Sequence, residues 1–467
     1  MLFLFWSQVL QVPYWQDDYT FLLNAHIARL AGKPWYSSFV PETKVVFWRP
    51  LGMESYWRFV ETVLAGNAQL AHLTNVFLII ASSAAVGWFA ATLIGLLTQR
   101  KDLSFAGVSA AFFYGIHASH FLPAAWAAAA NDSLSVFFSA LALRFWLVVS
   151  TADGRKRNIS IPIMLVCLIL AFLSRDIAFV LPALGVLLTL WLWPQYRPTA
   201  QAWVAGFLCF GISLVWLIAR EHFTLPAGPV YEFHFGINII RNGLLLILFF
   251  FNTPYEAFHY FFFVKQSLLI AFWGLVCFVL QVTAFWIFLS RAMVHFTRRS
   301  LLIILAFFVI SCAPFFFLSW NCYPYYLSIG LCVYAIIIGF WALCPSAVLT
   351  VLLLTLLSSS LSTFGNYFLD SRSHVGRAMW TERQLVRMAA LRDAQPNFFM
   401  KSLFIVVEDN HKFLGFGIDG LSYRLGIDKE KIVVLNPADP AASTNTVLVV
   451  PNDGDVYFRQ GKDEHEK

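Results

Sequence analysis

Apolar stretches long enough to cross a bilayer recur through most of this chain, and they settle its solvent before any motif is read. A helix needs roughly 20 apolar residues to span the hydrocarbon core, fewer where its ends thin the bilayer. That criterion predicts spans near 72–98, 104–122, 131–149, 159–173, 177–193, 201–219, 267–290, 301–318, 325–343 and 346–364. Met1–Val12 is apolar too, but reaches only half a span before Pro13. It has no basic start and no small-residue cleavage site, so it reads as the outer half of a first helix whose beginning is missing or short, rather than as a signal peptide. The expectation is an all-α polytopic membrane protein of about 11 transmembrane helices.

Charge divides the chain in two. Only 12% of the 467 residues are Asp, Glu, Lys or Arg, against about a quarter in an ordinary soluble domain. Residues 1–365 hold 19 of the 32 bases and 12 of the 26 acids, which leaves 13 and 14 to the last 102 residues. A membrane domain over 1–365 and a soluble domain over 366–467 follow. The formal +6 splits into +7 for the first and −1 for the second, so no basic patch exists for a nucleic acid. A cytosolic enzyme and a disordered regulator are ruled out by the same composition.

The sign of the loop charges gives topology. Arg100 and Lys101, then Arg155, Lys156 and Arg157, then Arg197, then Arg291, Arg298 and Arg299 fall in successive loops on one side. That side is assigned to the cytoplasm. Ten of the twelve acids of the membrane part, Asp17, Asp18, Glu42, Glu54, Glu61, Asp132, Asp176, Glu221, Glu232 and Glu256, fall on the other. The expected location is the plasma (inner) membrane, with the tail outside. Phe235–Phe251 conflicts with the count if it crosses, so it is read as a re-entrant or interfacial helix in a long external loop, 220–266.

Three external regions can hold chemistry: the first loop (13–71), the 220–266 loop and the tail. The tail opens with an amphipathic helix over 371–394, on which Val375, Met379, Val386 and Ala390 share a face. β-like runs follow at Ser402–Val407, Lys431–Leu435, Thr446–Val450 and Val456–Phe458, with Pro451-Asn452-Asp453-Gly454 turning between the last two. A small extracytoplasmic α/β domain is expected. The seven cysteines (Cys167, Cys209, Cys277, Cys312, Cys322, Cys332, Cys344) lie in apolar stretches without a CxxC and read as small core residues.

Several polar groups stand out against this background. Pro13-Tyr14-Trp15-Gln16-Asp17-Asp18-Tyr19 puts adjacent carboxylates at the outer mouth of the first helix. Like charges at a low-dielectric boundary raise a pKa, which suits a general base; the same pair also reads as a solvated helix cap. Phe47-Trp48-Arg49-Pro50-Leu51 sets a guanidinium among aromatics, either to grip phosphate or to anchor the interface. His117 and His120 are three apart and share a helix face, but no HExxH pattern or nearby third ligand completes a metal site. Leu173-Ser174-Arg175-Asp176 places a charged pair in a tight turn, where it either pairs with itself or meets phosphate. Gly415-Phe416-Gly417-Ile418-Asp419-Gly420 is formally GxGxxG. Because Glu408–Leu414 separates it from the preceding strand, it does not read as a dinucleotide fingerprint.

The order of these pieces resembles the GT-C superfamily, multi-pass glycosyltransferases that use polyprenyl-phosphate sugars. The pieces are Asp17-Asp18 outside the first helix, Arg49-Pro50 later in that loop, Gly66, Asn67, His72 and Asn75 leading into the next span, His117 and His120 before Trp126 and Asp132, and Leu173-Ser174-Arg175-Asp176. A weaker echo lies at Tyr325-Tyr326-Leu327-Ser328-Ile329-Gly330. The likeness is to the protein O-mannosyltransferase-like branch, including members that append tetratricopeptide repeats, and covers about residues 13–193. It departs from the pattern at Leu122 and Ala130, and the tail has no tetratricopeptide periodicity. The resemblance implies that an Asp of the first loop is the catalytic base, Asp17 before Asp18, and that Arg49 and Arg175 meet the lipid phosphate. Asp176, His117, His120, Arg220, Arg241 and Tyr326 are the further substrate-binding candidates, and the run Phe258, His259, Tyr260, Phe261, Phe262, Phe263 with Lys265 is expected to line a lipid cleft. No metal or cofactor is required by this chemistry beyond the lipid-linked donor; the acceptor is a glycan, lipid or protein. A transporter or flippase of lipid-linked glycans and an inactive scaffold are the competing readings.

Overall fold

A computed structural model describes residues 1–225, 231–254, 268–319, 322–368 and 374–394 and, in the tail, 403–408, 413, 415–435, 441, 446–451 and 456–459. Six helices in it are long and apolar enough to cross a membrane: Ala68–Thr98, Ala127–Thr151, Gly154–Ser174, Ala200–Phe223, Ala271–His295 and Arg298–Phe316. The chain is a multi-pass membrane protein. Each of these helices matches an expected span.

In chain order the helices are α1 (Leu2–Trp6), α2 (Asp17–Leu30), α3 (Tyr56–Thr62), α4 (Ala68–Thr98), α5 (Ser104–Gly115), α6 (Phe121–Ala125), α7 (Ala130–Thr151), α8 (Gly154–Ser174), α9 (Leu181–Leu192), α10 (Ala200–Phe223), α11 (Ile237–Phe250), α12 (Leu268–Ala292), α13 (Arg298–Phe316), α14 (Cys332–Trp341), α15 (Val348–Phe368), α16 (His374–Ala394) and α17 (Gly417–Leu425). Of the long ones, α4, α10 and α13 start on polar caps. Asn67 accepts from the Leu70 amide at 3.1 Å to open α4, and Thr297 accepts from the Ser300 amide at 3.2 Å to open α13. α4 packs on α5 and α7, and α7 packs on α8. One large apolar core unites these helices with α9, α14 and the first residues of the chain.

Two of the remaining expected spans, 104–122 and 325–343, are shorter than predicted. The stretch 104–122 is the 12-residue α5 followed by a break at Ile116–His117 and short helical pieces, and 325–343 is the 10-residue α14 preceded by a turn at Pro324–Leu327. Broken backbone is stable at membrane depth when other protein segments satisfy it. Tyr114 does so here, donating from its hydroxyl to Ser328 O at 3.0 Å. The 14-residue α11 falls within Phe235–Phe251, and its Asn238 and Asn242 donate to Leu318 O, which pins it to the end of α13. The run 258–263 and Lys265 lie outside the described residues. Six cysteines are buried; Cys344 is exposed, because it follows the end of α14 rather than lying inside a helix.

The tail is a four-stranded sheet of order β2-β1-β3-β4, with β1 Leu403–Val407, β2 Ile432–Leu435, β3 Val447–Val450 and β4 Tyr457–Arg459. β1 runs parallel to β2 and β3, and β4 antiparallel to β3. The expected turn at 452–454 lies outside the described residues. On α16 the buried face is Val375, Ala378, Leu385 and Met388, whereas Met379 and Val386 are exposed. The expected face was therefore rotated, because Thr381 and Gln384, polar residues that mark a solvent face in a sequence, are buried. A second core joins the tail to the first loop: Leu385, Met388, Phe416 and Leu421 pack with Tyr19, Leu22, Trp57 and Val60. The tail sits on α2.

Candidate active site

The chain enters α2 through a tight turn, Trp15-Gln16-Asp17-Asp18, closed by the Asp18 amide donating to Trp15 O at 3.2 Å. Gln16 holds φ 51° and ψ −118°, a left-handed conformation that glycine adopts far more readily. The turn sends the two carboxylates in different directions. Asp18 is buried, its Oδ1 accepting from the Ala128 amide at 2.7 Å and its Oδ2 from the Trp15 amide at 3.0 Å. It is a structural tie between α2 and the entrance to α7. Asp17 is exposed to solvent at its tip and has no hydrogen bond or ion pair among the described residues. Protein nevertheless encloses it on most sides, and that burial raises its pKa above the usual carboxylate range. Burial raises Asp18 further, against the pull of its amide bonds and with the neighbouring Asp17 charge adding to it.

The second half of the site is a set of arginines. α8 ends at Ser174, and Arg175 continues in extended backbone with φ −163° and ψ 142°, which turns its side chain toward α7. There it pairs with buried Asp132, whose other oxygen accepts from the Ser328 hydroxyl at 2.5 Å. The Arg175 guanidinium also lies 4.9 Å from the Tyr325 ring and 5.2 Å from that of Tyr326, which is itself stacked on Phe315 at 4.0 Å. Asp176 faces Arg49 at 3.5 Å and Arg220 at 3.4 Å. These are loose pairs that leave most guanidinium donors available. The Arg49 Nε is buried without a hydrogen-bond partner among the described residues.

Glycine makes this convergence sterically feasible. A Cβ on Gly52 would lie 2.4 Å from Ser174 O and 2.7 Å from the Asn131 Cβ. The helical turn Pro50–Ser55 therefore presses directly on the ends of α7 and α8, carrying Arg49 to Asp176. The tyrosines link the two halves. Tyr323 lies in the field of the Asp17 carboxylate and stacks on Tyr325 at 5.4 Å, and Tyr325 lies under Arg175. In this cluster Arg49, Arg175 and Arg220 face Asp132 and Asp176.

The structure thus brings together Arg49, Arg175, Asp176, Arg220 and Tyr326; Asp17 is linked to them through Tyr323 and Tyr325, and Asp18 is held apart by the Trp15 and Ala128 amides. The histidines are placed otherwise. His117 Nε2 contacts Phe250 O at 3.2 Å and its Nδ1 accepts from the Ser119 amide at 3.3 Å, which makes it a bracket between α5 and α11. His120 packs its ring 4.6 Å from Tyr114, one residue removed from Ser328 and Asp132. No group of three metal-ligating side chains occurs among the described residues. Arg241 donates to Ser319 O at 2.7 Å and to Asn242 Oδ1, fastening α11 to the segment after α13.

Sequence reasoning missed Asp132, Ser328, Tyr325 and Glu54 as site residues. Asp132 carried a readable signal, an acid at the head of a membrane span, which must find a cation. Glu54 had none. Its Oε2 is buried and unpartnered among the described residues, with Arg49 and Arg58 near, and burial pushes its pKa up to about 7. The glycine run of the tail proves to be a docking surface. Gly415 O accepts from the Gln16 amide at 2.9 Å, and a Cβ on Gly420 would meet the Tyr19 ring at 3.2 Å.

No protein-family model and no curated protein sequence matches the chain. Among solved structures it is similar to the crystal structure of ArnT from Cupriavidus metallidurans in the apo state, with a TM-score of 0.46 and 15% identity over 93% of this chain and 84% of that one. A likeness of that size carries no argument about function.

Proposed function

We propose that the chain is an integral-membrane, inverting glycosyltransferase of the GT-C kind. It takes a sugar from a polyprenyl-phosphate carrier at the external leaflet and delivers it to a glycan, lipid or protein acceptor. The observation that carries the reading is the cluster of Arg49, Arg175 and Arg220 around Asp132 and Asp176, joined through Tyr325 and Tyr323 to the exposed Asp17 carboxylate. The motif order of the first 193 residues points the same way, and with it a mannosyl-type donor.

In the proposed reaction Asp17 takes the proton of the acceptor hydroxyl. The acceptor oxygen attacks the anomeric carbon from the face opposite the phosphate, and the bond from that carbon to the phosphate oxygen breaks. Its electron pair leaves on the lipid phosphate, where Arg49 and Arg220 stabilise the growing charge. A single carboxylate suffices for one displacement with inversion. Arg175, held by Asp132 and the tyrosines, positions that cluster.

The test is transfer of a labelled sugar from a polyprenyl monophosphate by the full chain in liposomes. Asp17→Asn is expected to lose at least about a hundredfold in rate with an unchanged melting temperature, and Arg49→Ala with Arg220→Ala to raise the donor KM. Full transfer by Asp17→Asn sinks the mechanism.

A further inference from the structure

On the face of the membrane bundle opposite Asp17, a cleft of about 440 Å³ opens between the ends of α4, α9 and α14 and the start of α13. Arg100, Arg299 and His295 line it, and no carboxylate does. Its walls are aromatic: Trp191, Phe296 and Phe340, with His295 stacked on Phe340 at 5.8 Å.

Both arginines are held in place by neutral groups. Arg100 Nη1 donates to Leu343 O at 3.4 Å, and Arg299 Nη2 donates to Leu190 O in the last turn of α9. Each guanidinium has five N–H donors, so each keeps several after making that bond. The positive end of the 19-residue α13, capped by Thr297, opens into the same space. Elsewhere on this face Arg157 is paired with Asp153 at 3.7 Å. The cleft differs in that its fixed cations have no carboxylate among its lining residues.

We infer that this cleft binds the phosphate of an anionic diacyl phospholipid of the adjoining leaflet, with the guanidinium groups of Arg100 and Arg299 on the phosphate oxygens and the acyl chains leaving along the aromatic wall. Charge complementarity selects an anion, and the site lies where the apolar helices end and lipid headgroups begin. The walls suit a ligand that is charged at one end and apolar at the other. Basic pockets between membrane helices bind anionic lipid headgroups on these terms. The inference is independent of the proposed transferase chemistry, which lies on the other face.

Binding is read by titrating the full chain in phosphatidylcholine nanodiscs with fluorescent phosphatidylglycerol, with inorganic phosphate and unlabelled phosphatidylcholine as competitors. Arg100→Gln with Arg299→Gln is expected to weaken phosphatidylglycerol roughly thirtyfold. His295→Glu, which leaves both carbonyl bonds in place, is expected to weaken it as well and so separates lost binding from lost folding. Arg155→Gln with Lys156→Gln, on the same face but outside the cleft, is expected to leave it unchanged. Equal affinity in the double arginine variant and in His295→Glu overturns the inference. So does displacement by inorganic phosphate at the lipid's own concentration, or by phosphatidylcholine.

Discussion

At the scale of single residues, two neighbouring aspartates do opposite work because a turn separates their directions. The sequence made the pair visible and left the choice between them open; two backbone amides occupy Asp18, and Asp17 is the base in the proposed reaction. Asp18 takes a hydrogen bond on each oxygen, so Asp18→Asn places an NH₂ against an amide donor. The expected loss is about 1–3 kcal/mol of stability, measured by thermal unfolding, whereas Asp17→Asn loses rate alone. Glu54 makes a prediction in pH. Its pKa stands at about 7 against an ordinary 4.5, so the folded chain holds that proton more tightly than the unfolded one. This contribution is full below 4.5 and is lost as pH rises through about 7. Glu54→Gln should flatten that decline and leave the variant roughly 1–3 kcal/mol more stable than the parent at pH 8, seen as a shallower fall of the melting temperature between pH 5 and 8.

At the scale of elements, apolar length found every helix long enough to span and overstated the shorter ones. Hydropathy reports the solvent of a segment; whether its backbone stays helical depends on partners elsewhere in the chain. The break after α5 and the turn before α14 meet through Tyr114 and Ser328, more than 200 residues apart in sequence, and no local pattern encodes that pairing. The strands of the tail were legible as short β-branched runs bounded by turn residues, and the inner strands β1 and β3 are buried almost throughout. Gly52 is the corresponding element-scale test. Gly52→Ala must push the turn Pro50–Ser55 away from Ser174 and Asn131, at a cost of about 1–3 kcal/mol. Arg49 then draws back from Asp176, so donor KM is expected to rise while kcat from saturating donor changes less.

At the scale of the whole molecule, the two parts that composition divided share a core and a polar seam. Glu61, buried in α3, accepts from Arg29 at 3.1 Å and from Tyr423 of the tail at 3.2 Å, and contacts His26 at 2.7 Å. Thr20 donates to Asp419 at 2.6 Å. Charge density divides an apolar part from a charged one but says nothing of which polar segments meet, so this docking was not legible. Glu61→Gln weakens three contacts at once and should raise hydrogen exchange in α17 and β2 well before the membrane helices respond. The seam ends at the Gln16 amide, bonded to Gly415 O one residue before the proposed base. Gln16 sits in a backbone state that costs an ordinary residue about 1–3 kcal/mol, and the tail adds one bond to a turn that Trp15 and Asp18 already close. The soluble part is therefore one brace on a loaded spring. Lifting the tail off α2 removes that bond, and the expected result is faster hydrogen exchange in the turn that precedes Asp17.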